Sequence, residues 1–208
     1  MSSKSNQSKS GDSGSSADGK YEYRVWGKHR KARKMLSEMA DEETSEEIDD
    51  CYFLTDDLNW NAKVRDYTLK VKQLVAEEKG FEVWTSRWVK ASKTAPAPFD
   101  ELLEDLRLDR HADGKSFSLT KAVGRLDPDD VNVVFVTKSR RRFRIGSLRA
   151  EVTDVTIKET GDVVRTLAIE GNDLDELVAL RKKLGLRDEE NLPFPAALGS
   201  DRYGPDED

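Results

Sequence analysis

In three separate stretches of this chain, lysine or arginine recurs at every second residue within segments that otherwise read as β-strands. They are Lys63 and Arg65 in NWNAKVRDY, Lys70 and Lys72 in TLKVKQL, and Lys138, Arg140, Arg142 and Arg144 in TKSRRRFR. Side chains at i and i+2 of a strand share a face, so each stretch lines up positive charge on one side. An ordinary half-buried strand with a wet face would do the same. The chain as a whole is acidic, with a formal net charge of -6 and a sequence pI near 5.2, so three such rows favour a fold that gathers them. Inside a barrel these cations would repel one another and lose hydration unless an anion stood among them. A polyphosphate suits that place, because lysine supplies point charges and arginine forks onto phosphate oxygens.

The strand signal extends along most of the chain. KYEYRVWG, IDDCYFLT, NWNAKVRDY, TLKVKQL, GFEVWTSRWVK, NVVFVTKS, RRRFRIG, RAEVTDVTI and VVRTLAIE are rich in β-branched and aromatic residues. That makes about nine strands by composition and pattern, enough to close a barrel or curve a sheet deeply. Short connections such as DY and RIGS predict antiparallel hairpins. Helical spacing appears in RKARKMLSEMADEE, with Met35, Leu36 and Met39 on one side, and in FDELLEDLRL, with Phe99, Leu102, Leu103 and Leu106. In NDLDELVALRKKLG, Asp173 and Glu176 can cap the start, Gly185 can end the helix, and Leu174, Leu177, Val178 and Leu184 form the buried stripe. The expected class is therefore α+β, mainly antiparallel β, with helices flanking the strands. Residues 1–19 read as a disordered leader and 201–208 as a flexible tail, leaving one folded domain over residues 20–200. Within it, KASKTAPAPF is a turn-rich connection and residues 108–130 form a polar insertion.

Other features narrow the function. A single cysteine, Cys51, excludes an internal disulfide and reads as a small buried hydrophobe. No apolar run is long enough to span a bilayer, and the first residues lack the apolar core of a signal peptide, so a cytoplasmic location is expected. An acidic balance argues against a general nucleic-acid binder. His29 and His111 lie in polar segments without companions at metal spacing. DDLNWN resembles a turn rather than a calcium loop, and neither a Gly-rich phosphate loop nor a nucleophile elbow is present. Trp84 and Trp88 share a strand face that could stack a base, but packing beneath an external helix is the better reading; Trp26 and Trp60 offer no more. Glu22, Glu151 and Glu170 lie on separate strands, as oxygen ligands for Mg²⁺ or Mn²⁺, as salt-bridge partners or as exposed residues.

The order Glu22/Arg24, KVR (63–65), LKVK (69–72), KSR (138–140), EVTDV (151–155) and AIE (168–170) resembles the CYTH or triphosphate tunnel metalloenzyme superfamily. The final helix and ENLPFPAALG resemble its C-terminal segment, so the likeness covers about residues 20–200. The resemblance implies an eight-stranded closed antiparallel β-barrel, flanking helices, and a triphosphate-containing substrate in the tunnel. It implies Arg24, Lys63, Arg65, Lys70, Lys138 and Arg140 as phosphate ligands, with Lys72 and Arg87 as weaker candidates. Glu22, Glu151 and Glu170 would hold Mg²⁺ or Mn²⁺, with Glu22 and Glu170 also serving the attack of water at the terminal phosphorus. Two departures fall on the metal side: Lys20 and Ala168 stand where the family places glutamates. Glu82 would compensate if it pointed inward.

Three readings follow. One is a divalent-metal-dependent phosphohydrolase acting on inorganic or organic triphosphate. A second is a tunnel that binds a polyphosphate, a nucleotide or an RNA 5′ end without efficient turnover. The third is a β-domain whose charged strand faces point to water, with KSRRRFR as a surface basic patch.

Overall fold

The computed structural model describes residues 19–66, 68–90 and 131–200, and within that range it leaves the side chains of residues 68, 69 and 87–90 undescribed. Eight strands close into a barrel: β1 (Lys20–Trp26), β2 (Glu42–Leu54), β3 (Trp60–Arg65), β4 (Thr68–Glu78), β5 (Phe81–Lys90), β6 (Asn132–Ile145), β7 (Leu148–Ile157) and β8 (Val163–Gly171). Around the barrel they run β1, β5, β4, β3, β2, β6, β7, β8, and every neighbouring pair is antiparallel. The described helices are α1 (Arg30–Met39), α2 (Leu174–Lys183) and α3 (Phe194–Ser200). The fold class is thus α+β with an eight-stranded closed barrel. The leader to residue 18, the FDELLEDLRL segment, the 108–130 insertion with His111, and the tail lie outside the described residues.

Two boundaries differ from expectation. NVVFVTKS and RRRFRIG are one strand, β6, so the nine expected segments make eight strands. The helix expected over residues 30–43 ends at Met39, and Glu42 and Glu43 begin β2 instead. The cause lies across the sheet, where β2 and β6 pair from Glu42↔Arg144 to Leu54↔Asn132. Glu42 meets Arg144 at 3.4 Å, and Glu43 meets Arg141 at 2.8 Å. Opposite charges on facing strands favour the ladder over another helical turn. The DY and RIGS connections are tight hairpins, Arg65 pairing with Thr68 and Ile145 with Leu148; Gly146, at φ +58°, takes the left-handed turn without a Cβ penalty.

Period two sorts the strands into faces. Tyr23, Val25, Phe143, Ala150, Val152, Leu167 and Ile169 point outward and pack beneath Ala32 and Leu36 of α1 and Leu177 and Leu180 of α2. Each fully buried leucine here, such as Leu36 or Leu177, stabilises the fold by about 1.5–3 kcal/mol. Asp173 caps α2 by accepting from the Glu176 N–H at 2.9 Å, worth about 1 kcal/mol, and Gly185 at φ +75° lets the chain turn away. Leu177, Leu180 and Leu184 form the buried stripe, with Leu174 and Val178 at its margin, so Leu180 replaces an expected edge residue at the centre.

The inward face changes character along the strands. At one end Tyr52, Leu54, Val134, Val136, Val155, Ile157 and Val164 meet Phe194 and Leu198 of α3 in an apolar plug. A short clamp sets α3 there. Asn191 accepts from the Arg24 N–H (2.8 Å), the Leu192 N–H donates to the Arg24 carbonyl (2.8 Å), and Trp26 Nε1 donates to the Leu192 carbonyl (2.8 Å). That is the structural work of ENLPFPAALG: it turns the chain so that Phe194 enters the barrel end.

Candidate anion-binding site

Beyond the plug, the lumen is a cavity of about 730 Å³. Because β1, β3, β4, β6, β7 and β8 present alternate residues inward, Glu22, Arg24, Lys63, Arg65, Lys70, Lys72, Lys138, Arg140, Glu151 and Glu170 all line it. Of the expected site residues only Arg87 is not placed, its side chain lying outside the described residues. The reading with lysines facing water is therefore corrected: the rows of cations point into the barrel.

The deepest part of the site centres on Asp50, which the sequence reading passed over. Its carboxylate is fully buried and takes a bidentate fork from Arg65, Nε to Oδ1 at 2.6 Å and a terminal guanidinium nitrogen to Oδ2 at 2.7 Å. Lys138 Nζ lies 3.0 Å from Oδ2 and Lys63 Nζ 3.4 Å. Both lysines also donate to the Tyr52 hydroxyl, at 2.5 and 3.2 Å. Burial would push the Asp50 carboxyl up, but the Arg65 hydrogen bonds and the lysine charges outweigh it and hold it well below the carboxylate range. Burial pulls the Lys63 ammonium down to about 8 against the pull of Asp50. Burial, reinforced by the Lys63 charge, pushes Lys138 well below an ordinary lysine. Phe194 completes the floor, its ring centroid 3.4 Å from Lys138 Nζ and stacked on Tyr52 at 5.3 Å.

Nearer the mouth a second network runs through Glu22, Arg24, Glu151 and Arg140. Lys72 Nζ reaches Glu22 at 2.9 Å, Arg24 reaches Glu22 at 3.2 Å and Glu151 at 3.6 Å, and Arg140 reaches Glu151 at 3.1 Å. Glu46, also missed in the sequence, takes Arg140 and, at 3.3 Å, Arg142. Thr153 donates to Glu151 at 2.9 Å. Burial opposes ionisation of both tunnel glutamates. Lys72 and Arg24 nonetheless hold Glu22 well below the usual range, while Arg24 and Arg140 bring Glu151 down to about 2. Arg24 is almost fully buried, yet its Nε has no hydrogen-bond partner. Eleven lysines and arginines line the cavity (Lys20, Arg24, Lys63, Arg65, Lys70, Lys72, Lys138, Arg140, Arg142, Arg144, Arg149) against four glutamates on its wall (Glu22, Glu42, Glu151, Glu170) and three carboxylates packed beside it (Glu46, Asp50, Glu82), an excess that an anion can neutralise.

At the mouth, Glu170 stands across from Glu22 in the β1/β8 register, with Arg149 at 3.9 Å. Glu82 does point inward: it pairs with Glu22 across β1/β5 and shares a face with the lumenal Trp84, whose Nε1 donates to it at 3.0 Å. Burial pushes its carboxyl up to about 7 against that hydrogen bond. Trp84 is correspondingly not beneath an external helix, because β5 turns residues 82, 84 and 86 to the lumen. Lys20 and Ala168 also line the cavity, Ala168 placing a methyl group on its wall. Among the described residues no group of three His, Cys, Asp or Glu side chains is gathered to hold a metal ion. Glu22 and Glu151 each carry two cations, so the inner carboxylates fit the role of counter-charges rather than a preformed divalent-metal site.

The remaining candidates are local. Cys51 is half-buried and its thiol is pushed up to about 11 by burial, which leaves it inert. His29, in the left-handed region at φ 34°, donates to the Trp26 carbonyl at 2.9 Å. DDLNWN is a turn, Asp57 accepting from the Asn59 backbone at 3.0 Å and side chain at 2.8 Å. No described helix is long and apolar enough to cross a membrane.

No protein-family model and no curated protein matches the chain. Solved structures do. PH1012 protein from Pyrococcus horikoshii superposes with a TM-score of 0.50 at 16% identity, over 83% of this chain and 93% of that one. A conserved hypothetical protein from Pyrococcus furiosus gives 0.52 at 18% identity, over 85% and 98%. Pct1 RNA triphosphatase from Schizosaccharomyces pombe gives 0.37 at 8% identity, over 82% and 78%, and no argument rests on it. Barrel closure and strand order, together with the first two superpositions, show that the chain shares the fold of the two Pyrococcus proteins, a closed eight-stranded antiparallel barrel.

Proposed function

We propose that the lumen binds the polyphosphate moiety of a triphosphate-containing molecule, whether inorganic triphosphate, a nucleotide or an RNA 5′ end. One observation carries this: cations from β1, β3, β4 and β6 converge on a single walled cavity, in excess over its carboxylates. Buried like charges of this number are costly without a counter-anion, and a linear polyphosphate spreads negative charge along the same axis. The unpartnered Arg24 Nε supports the reading, since a buried donor without an acceptor is expensive unless a ligand supplies one.

Hydrolysis assisted by Mg²⁺ or Mn²⁺ is the second reading. Its support is the strand register alone: Glu82, Glu22 and Glu170 are cross-strand neighbours on β5, β1 and β8, while their side chains are not gathered as metal ligands. Calorimetric titration with inorganic triphosphate, with and without each metal, beside a phosphate-release assay, separates the two. Saturable binding without release supports the binding tunnel. Metal-dependent release shows a hydrolase. No binding of any polyphosphate overturns both.

A further inference from the structure

We propose that Asp50 is a resident anion filling the deepest phosphate position of the lumen, and that it thereby limits how many phosphates a ligand can seat. The inference rests on the polyphosphate-binding reading and specifies its chain-length selectivity.

Three of the expected phosphate ligands converge on this one side chain. Arg65 gives Asp50 the two-pronged fork that guanidinium groups give to carboxylates and phosphates alike, at 2.6 and 2.7 Å. Lys138 and Lys63 close on the same carboxylate at 3.0 and 3.4 Å. These three cations line the cavity, whereas Asp50 lies beneath them with no exposed side-chain surface. Below, Tyr52 and Phe194 close the barrel end in an apolar cluster, so the described residues offer no further anion position past the carboxylate. An anion brought against Asp50 would meet its negative charge across a buried, poorly screened gap. The remaining ligand surface lies toward the mouth, on Arg24, Lys70, Lys72 and Arg140 and on the mouthward sides of Lys63 and Arg65. A short phosphate chain fills that length, and the last phosphate of a longer one stays at the wet rim, where it adds little.

The test is a chain-length series: inorganic mono-, di- and triphosphate titrated calorimetrically into the wild-type protein and into Asp50→Asn. In wild type, affinity is expected to rise about tenfold or more from mono- to diphosphate and less than about threefold from di- to triphosphate. Asp50→Asn frees the Arg65 fork and removes one negative charge. It is expected to bind triphosphate about tenfold more tightly than wild type, with a larger thermal shift on binding. A steady tenfold gain at each step in wild type overturns the inference. So does weaker triphosphate binding by Asp50→Asn, which would make Asp50 a residue that merely positions its cations. If the variant fails to fold, the wild-type series decides alone. If wild type binds none of the three, the polyphosphate reading falls first and takes this inference with it.

Discussion

The two ends of the barrel lumen are built from the same strands on the same inward period, yet their chemistry is opposite. Along β6 the inward residues run Val134 and Val136, then Lys138, Arg140, Arg142 and Arg144; along β7 they run Ile157 and Val155, then Thr153, Glu151 and Arg149. β8 does the same from Val164 to Thr166 and Glu170. The apolar end gains its stability from packing, while the charged end bears unfavourable desolvation. The difference teaches that the plug makes the tunnel possible: it supplies the anchored floor against which Lys138 and Asp50 are held dry, and dryness is what strengthens every charge above it.

The sharpest way to break that contrast is at the floor. Phe194→Ala removes the ring that touches Tyr52, Trp26, Lys138 and Arg24. It is expected to destabilise the fold by about 3–5 kcal/mol, as a large aromatic truncation in a core does. Urea unfolding measures it, and a loss below about 1 kcal/mol would show that the plug is dispensable. The charged end is tested by neighbours on one strand. Arg140→Gln removes an inward cation and is expected to weaken triphosphate binding about 10- to 100-fold, the worth of one charge-assisted hydrogen bond. Arg141→Gln, which removes an outward side chain paired with Glu43 and Ser37, is expected to leave binding within about twofold. Equal losses in the two variants, by calorimetry, would put the anion outside the barrel.

Much of this contrast was legible in the sequence. The alternating cations gave the charged face, and motif order gave the closed eight-stranded barrel. What stayed hidden depended on register. Asp50 sits in IDDCYFLT beside Asp49, and a one-residue slip would exchange the lumenal and exposed carboxylates; the pairing of Tyr52 with Lys63 on one side and with Val134 on the other settles it. Glu46 lies in a charged run with no apolar alternation, so nothing but the arginines of β6 marks it as a strand residue. Glu82 faces inward in a register that shifts between Leu74 and Ala76 of the adjacent β4, an irregularity no local composition announces. The plug, too, is a tertiary fact: resemblance alone placed ENLPFPAALG within the domain, and its entry into the barrel end shows only in its clamp on β1.

Protonation probes the same boundary more gently. Lys63, brought down to about 8 by burial, carries its charge below that pH and loses it above. Triphosphate affinity is therefore expected to hold to about pH 8 and then to fall by up to about tenfold per pH unit for each proton lost. Calorimetry near pH 8 in buffers of different ionisation enthalpy should show proton uptake on binding, since an anion raises the lysine again. Affinity that stays flat between about pH 7.5 and 9.5 would mean that Lys63 is fully charged before ligand arrives.

A last test lies toward the mouth, where Glu82 stands beside Glu22. Glu82 is raised from 4.5 to about 7, first by burial and then by Glu22 and Glu77, while Trp84 and Arg24 pull the other way. A folded-state carboxyl with a raised pKa holds more protons than the unfolded chain between those values. Its contribution to stability is therefore complete below about pH 4.5 and is lost as pH rises through about 7. Glu82→Gln keeps the Trp84 hydrogen bond and cannot ionise, so the variant should gain stability relative to wild type between pH 5 and 8, and the two should converge below pH 4.5. Parallel urea titrations across that range measure the difference. A constant difference at every pH would show that Glu82 titrates as it does in the unfolded chain, and that the dry environment of the lumen ends below the Glu22 row.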